Sequence, residues 1–351
     1  MRAWAVVENG APLQCIEMAD PRPEGTQVLL EVTHCGVCHS DLHFWEGTYN
    51  LGGGKVLKLT DRGVTLPRAI GHEIVGRVVE LGSDATGVAI GDLRIVYPWI
   101  GCGTCERCLG GEDNICDKPN TIGVMQNGGF GSHVLVPHAR FLVDPGTVDP
   151  ALAATFACSG ITVHSAVKKI MPLAPHEPVV LIGAGGLGLA AIEMLKAFGH
   201  ETIITVEINP EKRAAAMAAG ATNTVDGSVA NLAEAIIAAA GRPVKAVIDF
   251  VNASATAQAG LDALAKGGKL VLVGVAGGEI PLSLASLIFK PRTIQGNATG
   301  SPQDLRDVVA LAQSGKLKPI PLTILPKDSA NEAMTRLHDG KVTGRLVLKS
   351  G

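Results

Sequence analysis

The sequence predicts an α/β fold with two unlike parts: a doubly wound parallel sheet in the middle of the chain and an irregular, barrel-like β domain before it. Three observations predict this. At 351 residues the chain is too long for one ordinary hydrophobic core. Its first 150 residues are short β-rich runs broken by glycine and proline. From about Ala151, apolar strand-like runs alternate with alanine-rich helical segments, the pattern of a parallel sheet covered on both faces.

The elements follow in order. Residues 28–32 and 74–81 are rich in valine, leucine and isoleucine and read as strands of the first domain. In the middle, strands over 178–182 and 202–206 are followed by helices over 187–198 and 210–219. Helices over 230–240 and 257–265 then flank the strands 246–250 and 269–274. After about Lys290 the texture is mixed again, and 344–348 reads as a final strand. The expected division is therefore 1–150, a β domain carrying the metal motifs; 151–290, the doubly wound domain; and 291–351, a return to the first domain.

Composition excludes several classes of function. A formal net charge of −3, without a lysine- or arginine-rich stripe, gives a phosphate backbone little to bind, so no nucleic-acid partner is expected. The most apolar stretch, 179–199, carries Glu193 and Lys196 and is interrupted by glycines, a poor membrane span. The opening residues have no long apolar core or small-residue cleavage site. With reduced thiols, this points to a cytoplasmic protein.

Four cysteines, Cys102, Cys105, Cys108 and Cys116, stand at spacings of two, two and seven residues. Four thiolates on one compact loop match tetrahedral structural zinc, while cysteines two apart pair poorly as disulfides. An iron–sulfur cluster is the main alternative, but its usual motif has a shorter last gap and a following proline, where this chain has Asp117.

A second motif follows the run Val179-Val180-Leu181-Ile182. The sequence Gly183-Ala184-Gly185-Gly186-Leu187-Gly188 leads straight into a helical pattern. In this Rossmann fingerprint Gly183 allows the tight turn, Gly185 lets the backbone approach a pyrophosphate, and Gly188 permits close helix–strand packing. Glu207 ends the next strand, where a carboxylate receives ribose hydroxyls and repels a 2′-phosphate, favouring NAD over NADP. Lys212 and Arg213 lie further on and leave an NADP reading open.

Cys38, within Gly36-Val37-Cys38-His39-Ser40-Asp41, the triplet Gly71-His72-Glu73, the four-thiol loop and the 183–188 fingerprint occur in one order along nearly the whole chain. In that order they resemble the medium-chain, zinc-dependent alcohol dehydrogenase family. The resemblance implies a GroES-like catalytic β domain beside the Rossmann domain, two zinc ions per chain, and NAD. It further implies that Cys38, His72 and Cys158 hold the catalytic zinc, with Glu73 beside it as an alternative ligand or nearby charge, and that Asp41 orients His72. Ser40 would accept the alcohol proton and pass it through a cofactor ribose hydroxyl to His43.

Softer expectations come from the same likeness. His39 would approach the cofactor phosphates, Thr162 the nicotinamide, and Arg345 the pyrophosphate; Val273 and Val275 would flank the nicotinamide. Gly186, Leu187 and Lys212 complete the expected cofactor contacts. Trp45, Tyr49 and Trp99 would line or border the alcohol pocket. Between Tyr49 and Gly71 the chain is longer than the family usually has, so this loop is read either as shaping selectivity for bulkier or aromatic alcohols or as a surface or subunit contact.

The expected activity is reversible, NAD-dependent oxidation of a primary or secondary alcohol to an aldehyde or ketone. A small-molecule alcohol or carbonyl substrate and a homo-oligomer, tetramer or dimer, are implied as partners. The alternatives are a polyol or amino-alcohol dehydrogenase of the same superfamily and a non-catalytic nucleotide-binding redox sensor.

Overall fold

A computed structural model describes residues Met1–Gly351. The middle of the chain forms a six-stranded, all-parallel sheet. Its spatial order is Asn223–Asp226, Ile203–Glu207, Val179–Ile182, Val244–Asp249, Leu264–Leu272 and Arg292–Gly296. Strand Val179–Ile182 is wholly buried, as expected of a strand covered on both faces. It lies between Ile203–Glu207 and Val244–Asp249, where the winding reverses and a crevice opens beyond the strand ends.

Two sequence expectations change here. Strand Asn223–Asp226 was not anticipated, because a half-exposed edge strand with asparagine and aspartate at its ends carries no apolar run. Strand Arg292–Gly296 is the sixth member of the parallel sheet, so ending the doubly wound domain at residue 290 is too early. Its polar sequence, Arg-Thr-Ile-Gln-Gly, hides it for the same reason.

The first domain is built on a mixed sheet whose main path runs Leu142–Val143, Leu93–Val96, Glu73–Leu81, Val28–Val37, Arg345–Lys349 and Leu322–Pro326. Val28–Val37 is its central strand, pairing antiparallel with Glu73–Leu81, His133–Val136 and Arg345–Lys349. The last strand of the chain therefore lies beside the strand that leads into Cys38.

Helix Pro150–Thr155, a π-turn at Phe156–Gly160 and helix Ile161–Ile170 form one continuous rod between the two sheets. Over Pro150–Ile170 it is long and apolar enough to cross a membrane, yet 89% of that window is buried inside the molecule. This rod, not 179–199, is thus the most membrane-like segment, and it is a core helix. The structure divides 179–199 into a strand, a glycine turn and a helix.

Candidate functional site: two metal centres and a dinucleotide crevice

The first metal group is assembled by three elements. Cys38 is the N-cap of helix His39–Glu46, directly after the central strand. His72 ends the turn before strand Glu73–Leu81, Glu73 is the first residue of that strand, and Cys158 comes from the π-turn. The π-turn adds a residue to the helical register, a distortion that often marks a functional position. Ligand atoms of Cys38, His72, Glu73 and Cys158 all lie within 4.8 Å of one another, and all four residues are buried.

These residues fit a zinc ion. The two sulfurs are 3.9 Å apart, close to the roughly 3.8 Å separating two sulfurs bonded at about 2.3 Å to a tetrahedral zinc. His72 Nδ1 is 3.0 Å from Asp41 Oδ1. A carboxylate only accepts, so the ring proton sits on Nδ1 and Nε2 turns a lone pair toward the sulfurs. That Nε2 is buried without a hydrogen-bond partner. An orphaned buried acceptor costs about 1–3 kcal/mol unless something binds it, and a cation is the ligand this donor set suits.

Asp41 is fully buried and holds the constellation together. It accepts from the Cys38 backbone N–H at 2.8 Å and from the Gly71 N–H at 3.1 Å, as well as facing His72. Against the cost of burial, its charge and hydrogen bond hold the His72 imidazole well above its ordinary value. The Cys158 thiol, hydrogen-bonded to Cys38, holds the Cys38 sulfur well below the usual thiol value, and Cys158 is pushed correspondingly up.

Glu73 has a partner that sequence reasoning missed. Its Oε1 meets the guanidinium of Arg345 and accepts from the Ser159 N–H at 3.2 Å, while Oε2 is unpartnered. Burial, opposed chiefly by Arg345, raises the Glu73 carboxyl to about 7. Gly36 makes room for it, since a Cβ there would stand 1.9 Å from Glu73 Oε2. Arg345 is itself buried, and its aliphatic stem lies against the first turn of helix Gly186–Ala197, where a Cβ on Gly186 would reach within 2.4 Å. One ion pair therefore joins the metal group to the glycine turn. No local sequence signal could have found it, because the partners are 272 positions apart in the chain.

The glycine turn has the form the fingerprint predicts. Gly183 has φ +98°, and a Cβ on Gly188 would stand 2.0 Å from the Gly183 carbonyl. Space beside Gly185 is open. Glu207 accepts from the Ala184 N–H and the Asn209 N–H, each at 2.9 Å, which fixes its carboxylate beside the turn.

The second metal group, Cys102, Cys105, Cys108 and Cys116, also lies within 4.8 Å. Cys105 Sγ is 3.5 Å from Cys108 Sγ and 3.8 Å from Cys116 Sγ. Backbone N–H groups of Cys102 and Lys118 point at Cys116 Sγ, both at 3.3 Å. Hydrogen bonds from Thr104 and then Cys105 lower the Cys102 thiol to about 6, ready for a cation. A third cluster, His164, Asp304 and Asp307, is not of this kind. His164 Nδ1 at 2.7 Å and Lys168 Nζ at 2.9 Å already occupy Asp304.

Comparison with known proteins agrees with this geometry. The alcohol dehydrogenase GroES-like domain matches residues 24–145, and the zinc-binding dehydrogenase domain matches 186–314. An NAD-dependent alcohol dehydrogenase of Sulfurisphaera tokodaii is 37% identical over 350 residues, covering 99% of each chain. The chain belongs to the zinc-dependent medium-chain alcohol dehydrogenase family. Within it, a D-arabinose 1-dehydrogenase (NADP(+)) of Saccharolobus solfataricus is 34% identical, over 96% of this chain and 94% of its own. The crystal structure of the alcohol dehydrogenase from Aeropyrum pernix superposes with a TM-score of 0.89 at 30% identity, covering 99% of this chain and 100% of that one. Zinc and NAD are this family's cofactors, and the two metal groups and the glycine turn are the places in this chain whose residues could hold them.

The remaining expected residues divide. Trp99 lies 5.3 Å from His72, ring to ring, and donates to the Ala157 carbonyl at 3.1 Å. Tyr49 stands 4.6 Å from His43 and 6.3 Å from Phe44, which in turn is 5.7 Å from His72. Phe44 was not foreseen in this group. Burial, then the nearby Cys38 and Asp41 charges, push the Tyr49 phenol up, so it stays neutral beside the Ser40 hydroxyl.

Trp45 does not join them. Its indole donates to the Ala11 carbonyl at 2.6 Å and packs on His338 at 6.3 Å. Two residues along a helix turn a side chain about 200°, so Trp45 faces away from His43. Thr162 is buried with its hydroxyl unpartnered. Val273 and Val275 follow strand Leu264–Leu272 at the sheet's C-terminal edge, the first half-buried and the second exposed. His39 is exposed, and desolvation, then the like charges of His43, Arg345 and Lys212, against the pull of Cys38, lower its imidazole.

Proposed function

We propose that the protein is an NAD-dependent zinc alcohol dehydrogenase that interconverts primary or secondary alcohols with aldehydes or ketones. The observation that carries the proposal is the unpartnered Nε2 of His72 converging with the Cys38 and Cys158 sulfurs, beside a crevice built for a dinucleotide. When bound, zinc supplies Lewis acidity to the substrate oxygen and NAD accepts the hydride. The chain's own residues orient, desolvate and move the proton. Cys38, His72 and Cys158 hold the ion, Asp41 fixes the imidazole, and Trp99, Phe44 and Tyr49 keep water from the pocket.

Ser40 and His43 are three residues apart on helix His39–Glu46 and share a face. Ser40 takes the alcohol proton, and His43 carries it outward, with Glu46 Oε2 3.6 Å from its Nδ1 as a counter-charge. His43→Gln is expected to slow alcohol oxidation roughly tenfold or more at and below neutral pH, with recovery in alkali, where hydroxide replaces the lost base. Steady-state rates across pH 6–10 check this. An unchanged pH–rate profile would remove His43 from the relay.

Aromatic walls favour apolar alcohols over polyols, which need several polar partners. Selection also involves the long segment after Tyr49. It forms the hairpin Thr48–Gly52 with Lys55–Lys58, whose tip meets the nucleotide domain: a Cβ on Gly52 would stand 2.7 Å from the Gly278 carbonyl. Leu59 behind it is buried, so deleting the segment would damage the core. Gly52→Val is the cleaner test. It displaces the hairpin that carries Tyr49 and is expected to change the ratio of kcat/KM for bulky and small alcohols roughly tenfold. Equal shifts for all alcohols would assign the hairpin a purely structural role.

Association into a dimer or tetramer is supported by helix Leu284–Phe289. Leu284, Ile288 and Phe289 are each about three-quarters exposed, next to the open edge strand Arg292–Gly296. A cytoplasmic location is supported by eight unpaired cysteines.

A further inference from the structure

The ends of the second and third parallel strands carry a charge arrangement that the dinucleotide fingerprint does not require. Glu207 and Asp226 are register partners at the C-terminal ends of neighbouring strands. Two carboxylates thus stand side by side at the adenosine end of the crevice. Arg213, one turn into helix Pro210–Ala219, reaches back to this point. Its Nη1 donates to the Glu207 carbonyl at 2.7 Å and to the Ile208 carbonyl at 2.9 Å, and lies 3.4 Å from Asp226 Oδ1. Asp226 is in turn held by the Ser228 N–H at 3.0 Å and the Ser228 hydroxyl at 2.7 Å.

We propose that Asp226 is a specificity-determining positioning residue: by neutralising and tethering Arg213, it denies a 2′-phosphate the one guanidinium placed to receive it. The inference rests on the reading of the chain as an NAD enzyme and deepens it. A ribose 2′-phosphate would arrive beside Glu207, next to the start of helix Pro210–Ala219, where an unencumbered guanidinium would otherwise welcome an anion. In this chain the guanidinium already spends one edge on two carbonyls and faces an opposing charge. Rejection of the phosphorylated cofactor therefore comes from two carboxylates, one acting directly and one through Arg213.

The isosteric change Asp226→Asn keeps acceptor geometry for Ser228 and removes the charge. In the purified enzyme it is expected to raise kcat/KM with NADP relative to NAD by roughly two- to fivefold, the size a partly exposed ion pair allows. The gain should lie in KM for NADP, with kcat unmoved, which a merely structural role would not produce. Asp226→Glu should keep the wild-type ratio, and adding Arg213→Ala to Asp226→Asn should abolish the gain. Titration with NADH and NADPH, followed by nicotinamide fluorescence without substrate, reads the same preference as binding. An unchanged NADP:NAD ratio in Asp226→Asn, or a gain that survives loss of Arg213, overturns the inference. Binding of neither dinucleotide by the wild-type chain would instead overturn the enzyme reading beneath it, while NADH binding with an unmoved ratio fails this inference alone.

Discussion

Cys158→Ser is expected to lower turnover roughly a thousandfold or more, a loss of several kcal/mol of transition-state stabilisation. The sulfur is buried in the π-turn, 3.9 Å from Cys38. A serine hydroxyl is a far poorer zinc ligand than a thiolate, so the three-ligand set becomes two. Bound zinc should fall from two per chain to one. NADH binding should persist, because the glycine turn and Glu207 belong to different elements. Zinc analysis, NADH titration and steady-state rates separate these effects. Near-normal turnover in the variant would exclude Cys158 from the metal.

Cys105→Ser is expected to act on stability instead, lowering the thermal midpoint by roughly 10 °C, because structural zinc contributes folding free energy directly. The four-thiol loop has little core of its own: Leu109 and Ile115 are exposed. It is tied to the rest by Arg140 on the buried Asp113, at 2.7 Å, and by Asn114 Nδ2 donating to the Ala298 carbonyl, at 2.7 Å. Without the ion those ties would hold a loop with no fixed shape. Limited proteolysis should then cut within residues 102–118, while turnover per folded molecule stays within about threefold, since Cys38, His72 and Cys158 are untouched. An unshifted midpoint would show that the loop does not need its metal.

The contrast between these two variants also shows what the sequence could disclose. Four cysteines at close spacing announce their ion locally, as do glycines between a strand and a helix. Cys158 has no such neighbours, and only likeness to a family singled it out. The π-turn that aims its thiol leaves no periodic trace. Helical phase did carry the information that Trp45 and His43 oppose each other, although the indole was expected in the pocket. Strands Asn223–Asp226 and Arg292–Gly296 escaped because edge strands need little apolar sequence. The Glu73–Arg345 pair arises only when the last strand lies beside the central one. Long-range ion pairs of this type follow from topology rather than from pattern.

The central claim is that one zinc is held by two sulfurs and one imidazole and a second by four sulfurs. X-ray absorption at the zinc edge of the purified wild-type chain tests it most directly. With two zinc ions per chain, the account predicts an average of about three sulfur neighbours per zinc, with roughly one nitrogen or oxygen neighbour completing each mean shell. A single zinc per chain surrounded by about four sulfurs would contradict it.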